Sequence, residues 1–176
     1  MKRSMDAPSR PSREKRPRVF ADATVLFAGT GWPRWSYEVL RHAAQGDYQL
    51  VLCPLVVAQA RQNLLEKQPD YVESFETWLD HVAPEWVPDP TAQQVAAHRE
   101  LVRDLDDVPV AVAALEARVD YFVSEDKDFT ADDATTQAVH EQLKILRPVI
   151  FLREVMGWSS DELERVRRRD WPSEVE

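Results

Sequence analysis

Asp22, Asp107, Asp126 and Asp128 are the residues of this chain whose chemistry and placement point to a reaction. Asp22 falls inside an apolar segment patterned as a strand, RVFADATVLFAG, and Asp107 opens a small-residue helix, DDVPVAVAALEA. Asp126 and Asp128 follow directly on another strand, in DYFVSEDKDF. Carboxylates at the ends of several strands of an α/β sheet can converge on one crevice, which is where open sheets place their sites. Carboxylate oxygens are hard ligands suited to Mg²⁺ or Mn²⁺ rather than zinc. Like charges gathered there repel one another unless a cation neutralises them. The chemistry this arrangement points to is metal-dependent work on a phosphodiester.

The elements that must position these acids alternate between strand and helix. Residues 18–29 read as a strand, followed by a Trp-rich turn and a helix over about 36–45. Residues 48–53 form a second strand whose continuous apolar run fits a buried parallel position. Pro54 suits the first turn of the helix PLVVAQARQNLLEK. A further helix opens at Pro69, with Tyr71, Phe75, Trp78, Leu79 and Val82 at helical spacing. WVPDP reads as a short strand or extended linker, 91–103 as a polar helix, 121–124 as a strand and 131–142 as a helix. KIL is a short strand, PVIFLREVM a helix ended by Gly157, and SSDELERVRRR a last helix in which Ser160 and Leu163 make no full capping box. This β-α-β alternation predicts an α/β fold, a three-layer α/β/α sandwich around a central parallel sheet. Residues 1–17 are expected to be a disordered basic tail, 18–157 the folded domain and 158–176 a C-terminal helix and tail.

The chain has 176 residues, enough for one domain with a sizeable core. No apolar run approaches the roughly 20 residues that span a bilayer, so no membrane partner is expected and the location read from the sequence is cytoplasmic. A single cysteine, Cys53, rules out an internal disulfide and a multi-cysteine zinc site, and its apolar setting reads as a core thiol. Net charge is −9, yet the first 18 residues hold seven Lys or Arg against two acids; subtracting that +5 leaves −14 on the remainder. Such a body is a poor non-specific nucleic-acid binder, because phosphate affinity comes from Lys and Arg. It remains compatible with a nuclease, whose site must be acidic. Only four glycines are present and none forms a phosphate-binding loop, which disfavours nucleotide sites of that kind. The four histidines show no metal-ligand spacing. Trp32 and Trp35 read as packing or dimer contacts rather than base-stacking residues, and Trp78, Trp86, Trp158 and Trp171 as core or C-terminal packing.

The ordered segments ADATVLFAG, PLVVAQARQNL, DDVPVAVAAL and DYFVSEDKDF resemble the motifs of the PIN domain family, over roughly residues 18–153. The resemblance is to prokaryotic toxin-type members, and it implies a Mg²⁺- or Mn²⁺-dependent endoribonuclease acting on RNA. It further implies a toxin neutralised by an antitoxin protein, and a homodimer. On the same footing Asp22, Asp107 and Asp126 match the metal-binding aspartates and Asp128 an additional catalytic acid, while Ser124 fits a supporting hydroxyl position. Two positions depart from the pattern: Gln59 stands where the family has Glu, and Thr24 where it has Asn. Gln59 offers a carbonyl oxygen but no charge, so it and Thr24 and Ser124 are expected to support the ligands from behind. The alternative reading is a catalytically impaired PIN domain that binds RNA or protein without cutting. Thr24 also excludes a haloacid-dehalogenase phosphatase, which needs a second aspartate at that place.

Overall fold

A computed structural model of the chain describes residues 16–173. In chain order the elements are β1 (Arg18–Ala21), α1 (Ala23–Gly31), α2 (Trp35–Gln45), β2 (Gln49–Leu52), α3 (Pro54–Lys67), α4 (Val72–Val82) and β3 (Glu85–Trp86). There follow α5 (Ala92–Ala97), α6 (Val108–Glu116), β4 (Tyr121–Val123), α7 (Lys127–Thr130), α8 (Gln137–Gln142), β5 (Ile145–Leu146), α9 (Pro148–Glu154) and α10 (Ser160–Val166). The five strands form one all-parallel sheet in the order β3-β2-β1-β4-β5. Parallel strands need crossovers, and crossovers are right-handed. The chain moves outward from β1 to β3 and then returns past β1 to β4, so its helices are divided between the two faces. The expected three-layer architecture with a central parallel sheet is the one observed.

Strands of two to four residues suffice because both faces are covered. Val19, Phe20 and Ala21 of β1 and Leu50, Val51 and Leu52 of β2 are buried, and Phe20 stacks on Phe122 of the neighbouring β4 at 5.7 Å. Ala111, Ala113 and Ala114 of α6 are buried in the core. Helix α1 meets α2 closely. A Cβ on Gly29 would lie 2.6 Å from the Leu40 side chain and 2.8 Å from the Ser36 carbonyl oxygen.

Several expected elements take a different form. The strand expected over 18–29 ends at Ala21, and the apolar run after it is α1. That helix buries Ala23, Val25, Leu26, Gly29 and Gly31 with no polar stripe, so periodicity cannot distinguish it from a buried strand. The polar helix expected over 91–103 shortens to α5, opened by a Thr91–Gln94 capping box and closed at His98. The helix expected over 131–142 covers only α8, because Asp133 accepts from the Thr135 backbone N–H in a turn that precedes it. The last helix does have a capping box, one residue earlier than expected, between Ser159 and Glu162. Trp86 is 51% exposed on β3 rather than packed. The segment after α10 is anchored: Arg169 donates to the Pro33 carbonyl and to buried Glu38, and the Trp171 indole N–H to the Gly31 carbonyl. The basic tail lies outside the described residues except for Arg16 and Pro17, which bond to Gly46 and Gln49.

Gly29→Ala is expected to destabilise the protein by about 1–3 kcal/mol in denaturant titration, since overpacking outweighs the gain in helix propensity. Gly31→Ala, where a Cβ would meet only the Gln68 side chain at 3.8 Å, is expected to be neutral or mildly stabilising.

Candidate functional site

β1 and β4 are adjacent parallel strands that end together, and the direction of strand order reverses between them. Asp22 is the first residue past β1, and it is tied there by its backbone N–H donating to the Val123 carbonyl at 3.0 Å. Its side chain caps α1, Oδ1 accepting from the Ala23 N–H at 2.8 Å. Oδ2 accepts from the Ser124 hydroxyl at 2.7 Å and from the Thr24 hydroxyl at 2.9 Å. Three donors leave one of the carboxylate's roughly four acceptor sites open. Burial raises the Asp22 carboxyl above its ordinary value, the bonds from Ser124, Thr24 and Ala23 oppose that rise, and the charge of Asp126 adds to it. The two hydroxyls are themselves fixed, because Ser124 Oγ accepts from the Asp126 N–H and Thr24 Oγ1 from the Glu125 N–H.

The chain leaving β4 turns at Asp126, whose Oδ1 accepts from the Asp128 N–H at 2.9 Å and caps α7. On the other side stands Asp107 at the start of α6. An acid at a helix start is ordinarily explained by capping, but Asp107 makes no side-chain cap hydrogen bond. Its Oδ2 is buried and has no hydrogen-bond partner among the described residues. Burial, then the charges of Asp126, Asp22, Asp104 and Asp128, push its carboxyl up to about 7. One carboxylate oxygen each of Asp104, Asp107 and Asp128 lie within 4.8 Å of one another.

The four aspartates singled out from the sequence are therefore neighbours at the carboxyl edge of the sheet. The tightest grouping is Asp107 and Asp128 with Asp104, a residue the sequence reading passed over. Three acids within residues 104–107 were its signal, but the helix expected over 91–103 left Asp104 looking like a loop residue beyond a helix end. An Asx-type turn instead aims it, with Oδ1 accepting from the Asp106 N–H at 2.9 Å. Gln59 is half-buried in α3, and among the described residues it makes no hydrogen bond to these acids. Cys53 is buried, and burial pushes its thiol up to about 11, which suits a core thiol and not a nucleophile. Trp35 donates to the Leu163 carbonyl and Trp32 packs edge-on against Phe27, so both are used in packing.

An all-oxygen donor set, an unpartnered buried carboxylate oxygen and mutual repulsion that a cation relieves fit Mg²⁺ or Mn²⁺. Without metal the same features cost stability. A carboxyl with a raised folded-state value binds its proton more tightly folded than unfolded, so the cost accrues as pH rises from about 4 to about 7 and is complete above that. Asp107→Asn is expected to melt higher than wild type in EDTA at pH 8, with the difference shrinking as pH falls through 7 and closing near 4. Equal melting temperatures at pH 8 would contradict this.

No protein-family model matches the chain. No curated protein matches it either. Among solved structures it is similar to PAE2754 from Pyrobaculum aerophilum, with a TM-score of 0.53 at 17% identity over 81% of this chain and 91% of that one. It is also similar to VapBC2 from Rickettsia felis, solved bound to a DNA fragment from its promoter, with a TM-score of 0.51 at 13% identity over 74% of this chain and 98% of that one. At such identities the likeness is one of architecture: a five-stranded parallel sheet flanked by helices, the PIN-like α/β/α fold.

Proposed function

We propose that this protein is a metal-dependent endoribonuclease of PIN type, acting as the toxin of a toxin–antitoxin pair. The observation that carries the proposal is Asp107, a half-buried carboxylate whose buried Oδ2 has no partner among the described residues and which stands among four other acids at the carboxyl edge of the sheet. Asp22, Asp107 and Asp126 are the proposed ligands of Mg²⁺ or Mn²⁺, and Asp104 and Asp128 stand close enough to Asp107 to join or replace them. A bound divalent cation would supply Lewis-acid stabilisation of the charge developing on a phosphodiester. Ser124 and Thr24 hold Asp22 in a single orientation, and the Asp128 N–H does the same for Asp126. Asp128 carries its carboxylate on the first turn of α7, where it can accept a proton from an attacking water.

The likeness to VapBC2 supports a paired protein partner. With −14 on the body of the chain, DNA contacts in such a pair would fall to the partner. A second reading, an impaired domain that binds RNA or protein without cutting, is favoured by Gln59, which brings no charge to the site. Labelled single-stranded RNA incubated with Mn²⁺, Mg²⁺ or EDTA separates the two. Metal-dependent cleavage that falls on the order of 100-fold or more in Asp107→Asn is expected. A folded wild type that leaves RNA intact, and cuts once Gln59→Glu is introduced, would favour the second reading.

A further inference from the structure

We infer that the groove between the first turns of α3 and α6 and the helix α5 seats a nucleotide of the substrate strand beside the scissile phosphate, with Arg99 holding that nucleotide's phosphate. The inference rests on the ribonuclease reading above. The groove is open to solvent and has a volume of about 650 Å³, within the range of small-ligand sites. Its walls are apolar: Leu55 from α3, Val95 from α5, Pro109 from α6 and Pro90 from the segment before α5.

Chain geometry joins this groove to the acids. Leu55 lies one helical turn before Gln59, so the two share a face of α3. Pro109 follows Asp107 by two residues at the start of α6. Both helices begin on the carboxyl side of the sheet, so the groove adjoins the edge where β1 and β4 end. The acid in its wall, Asp89, is exposed, and its Oδ1 accepts from the Leu55 N–H at 2.9 Å, which engages it at the first turn of α3. The cation among its lining residues is Arg99, which is exposed and stands on the segment leading from α5 to Asp104.

The charge of the site gives such a residue a role. A polyanion approaching five aspartates on an acidic body needs a local cation outside the metal's own reach, or it is repelled. An arginine presents a fork of donors to a phosphate. The adjoining apolar walls accept the flat face of an unstacked base. A groove with this lining on its own would suit many ligands; its continuity with the acidic edge and its one arginine among the described residues favour a nucleotide.

Binding of fluorescein-labelled single-stranded RNA to the full chain in EDTA, read by anisotropy, separates holding from cutting. Arg99→Ala and Ala96→Trp, the latter filling the groove from an exposed position on α5, are each expected to weaken binding by about tenfold or more. Arg99→Ala should also reduce the salt dependence by about 0.7, the share of one phosphate on a single strand. Arg168→Ala, exposed beyond α10, should bind as wild type. With Mn²⁺ both groove variants should raise KM and leave kcat within about twofold. Wild-type binding in both groove variants, with unchanged melting temperatures, overturns the groove assignment and leaves the ribonuclease reading standing. A wild type that neither binds nor cuts RNA removes that reading and this inference together. Groove variants that lose a co-purifying protein while keeping RNA affinity would assign the groove to a protein instead.

Discussion

A buried carboxylate between two parallel strands organises this molecule. Asp22 sits 4% exposed where β1 and β4 end side by side, and its carboxyl group is held by a helix N-terminus and two hydroxyls. The same bonds dictate the local chain path. Capping by Asp22 ends β1 and starts α1. Ser124, pinned by Asp22, accepts the Asp126 N–H and so sets the turn out of β4. Asp126 in turn caps α7 and places Asp128. A substitution at Asp22 would therefore disturb three elements at once, because each hydrogen bond in the series presupposes the one before it.

The fold handles Glu38 and Asp107 in two contrasting ways. Glu38, 2% exposed, is neutralised by Arg41 and Arg169 from either side, which fastens the C-terminal segment to α2. Such a cluster holds two elements in register and leaves the buried acid no unpaired charge. Among the described residues Asp107 receives no cation and no donor to Oδ2, and the charges that act on it are of its own sign. Strain of this kind persists only where the surrounding structure overrides it, and it concentrates at functional sites. A structural role is thus a good account of Glu38 and a poor one of Asp107.

The fold class was legible in the sequence because the apolar segments of β2 and β4 are short, continuous and separated by helical patterns. The acids were legible because Asp22 interrupts an apolar run and Asp107 precedes a small-residue helix. Helix α1 was not, since a helix buried all round loses the 3.6-residue signature that distinguishes it from a strand. Asp104 was hidden for a related reason. Its position depends on how residues 98–107 curl once Leu101 and Val102 are buried, a tertiary fact with no local pattern. The groove holding Arg99 is likewise assembled from segments far apart in the chain, so nothing in their order announces it.

Calorimetric titration of Mn²⁺ at pH 7, run in buffers of different ionisation enthalpy, tests the central claim that Asp107 belongs to a cation site. With its carboxyl near 7, Asp107 is about half protonated there, and a cation must displace that proton. The account predicts binding with release of about half a proton per ion at pH 7, falling toward none at pH 8.5 and lost in Asp107→Asn. Absence of Mn²⁺ binding, or binding whose proton release is the same in Asp107→Asn, would contradict it.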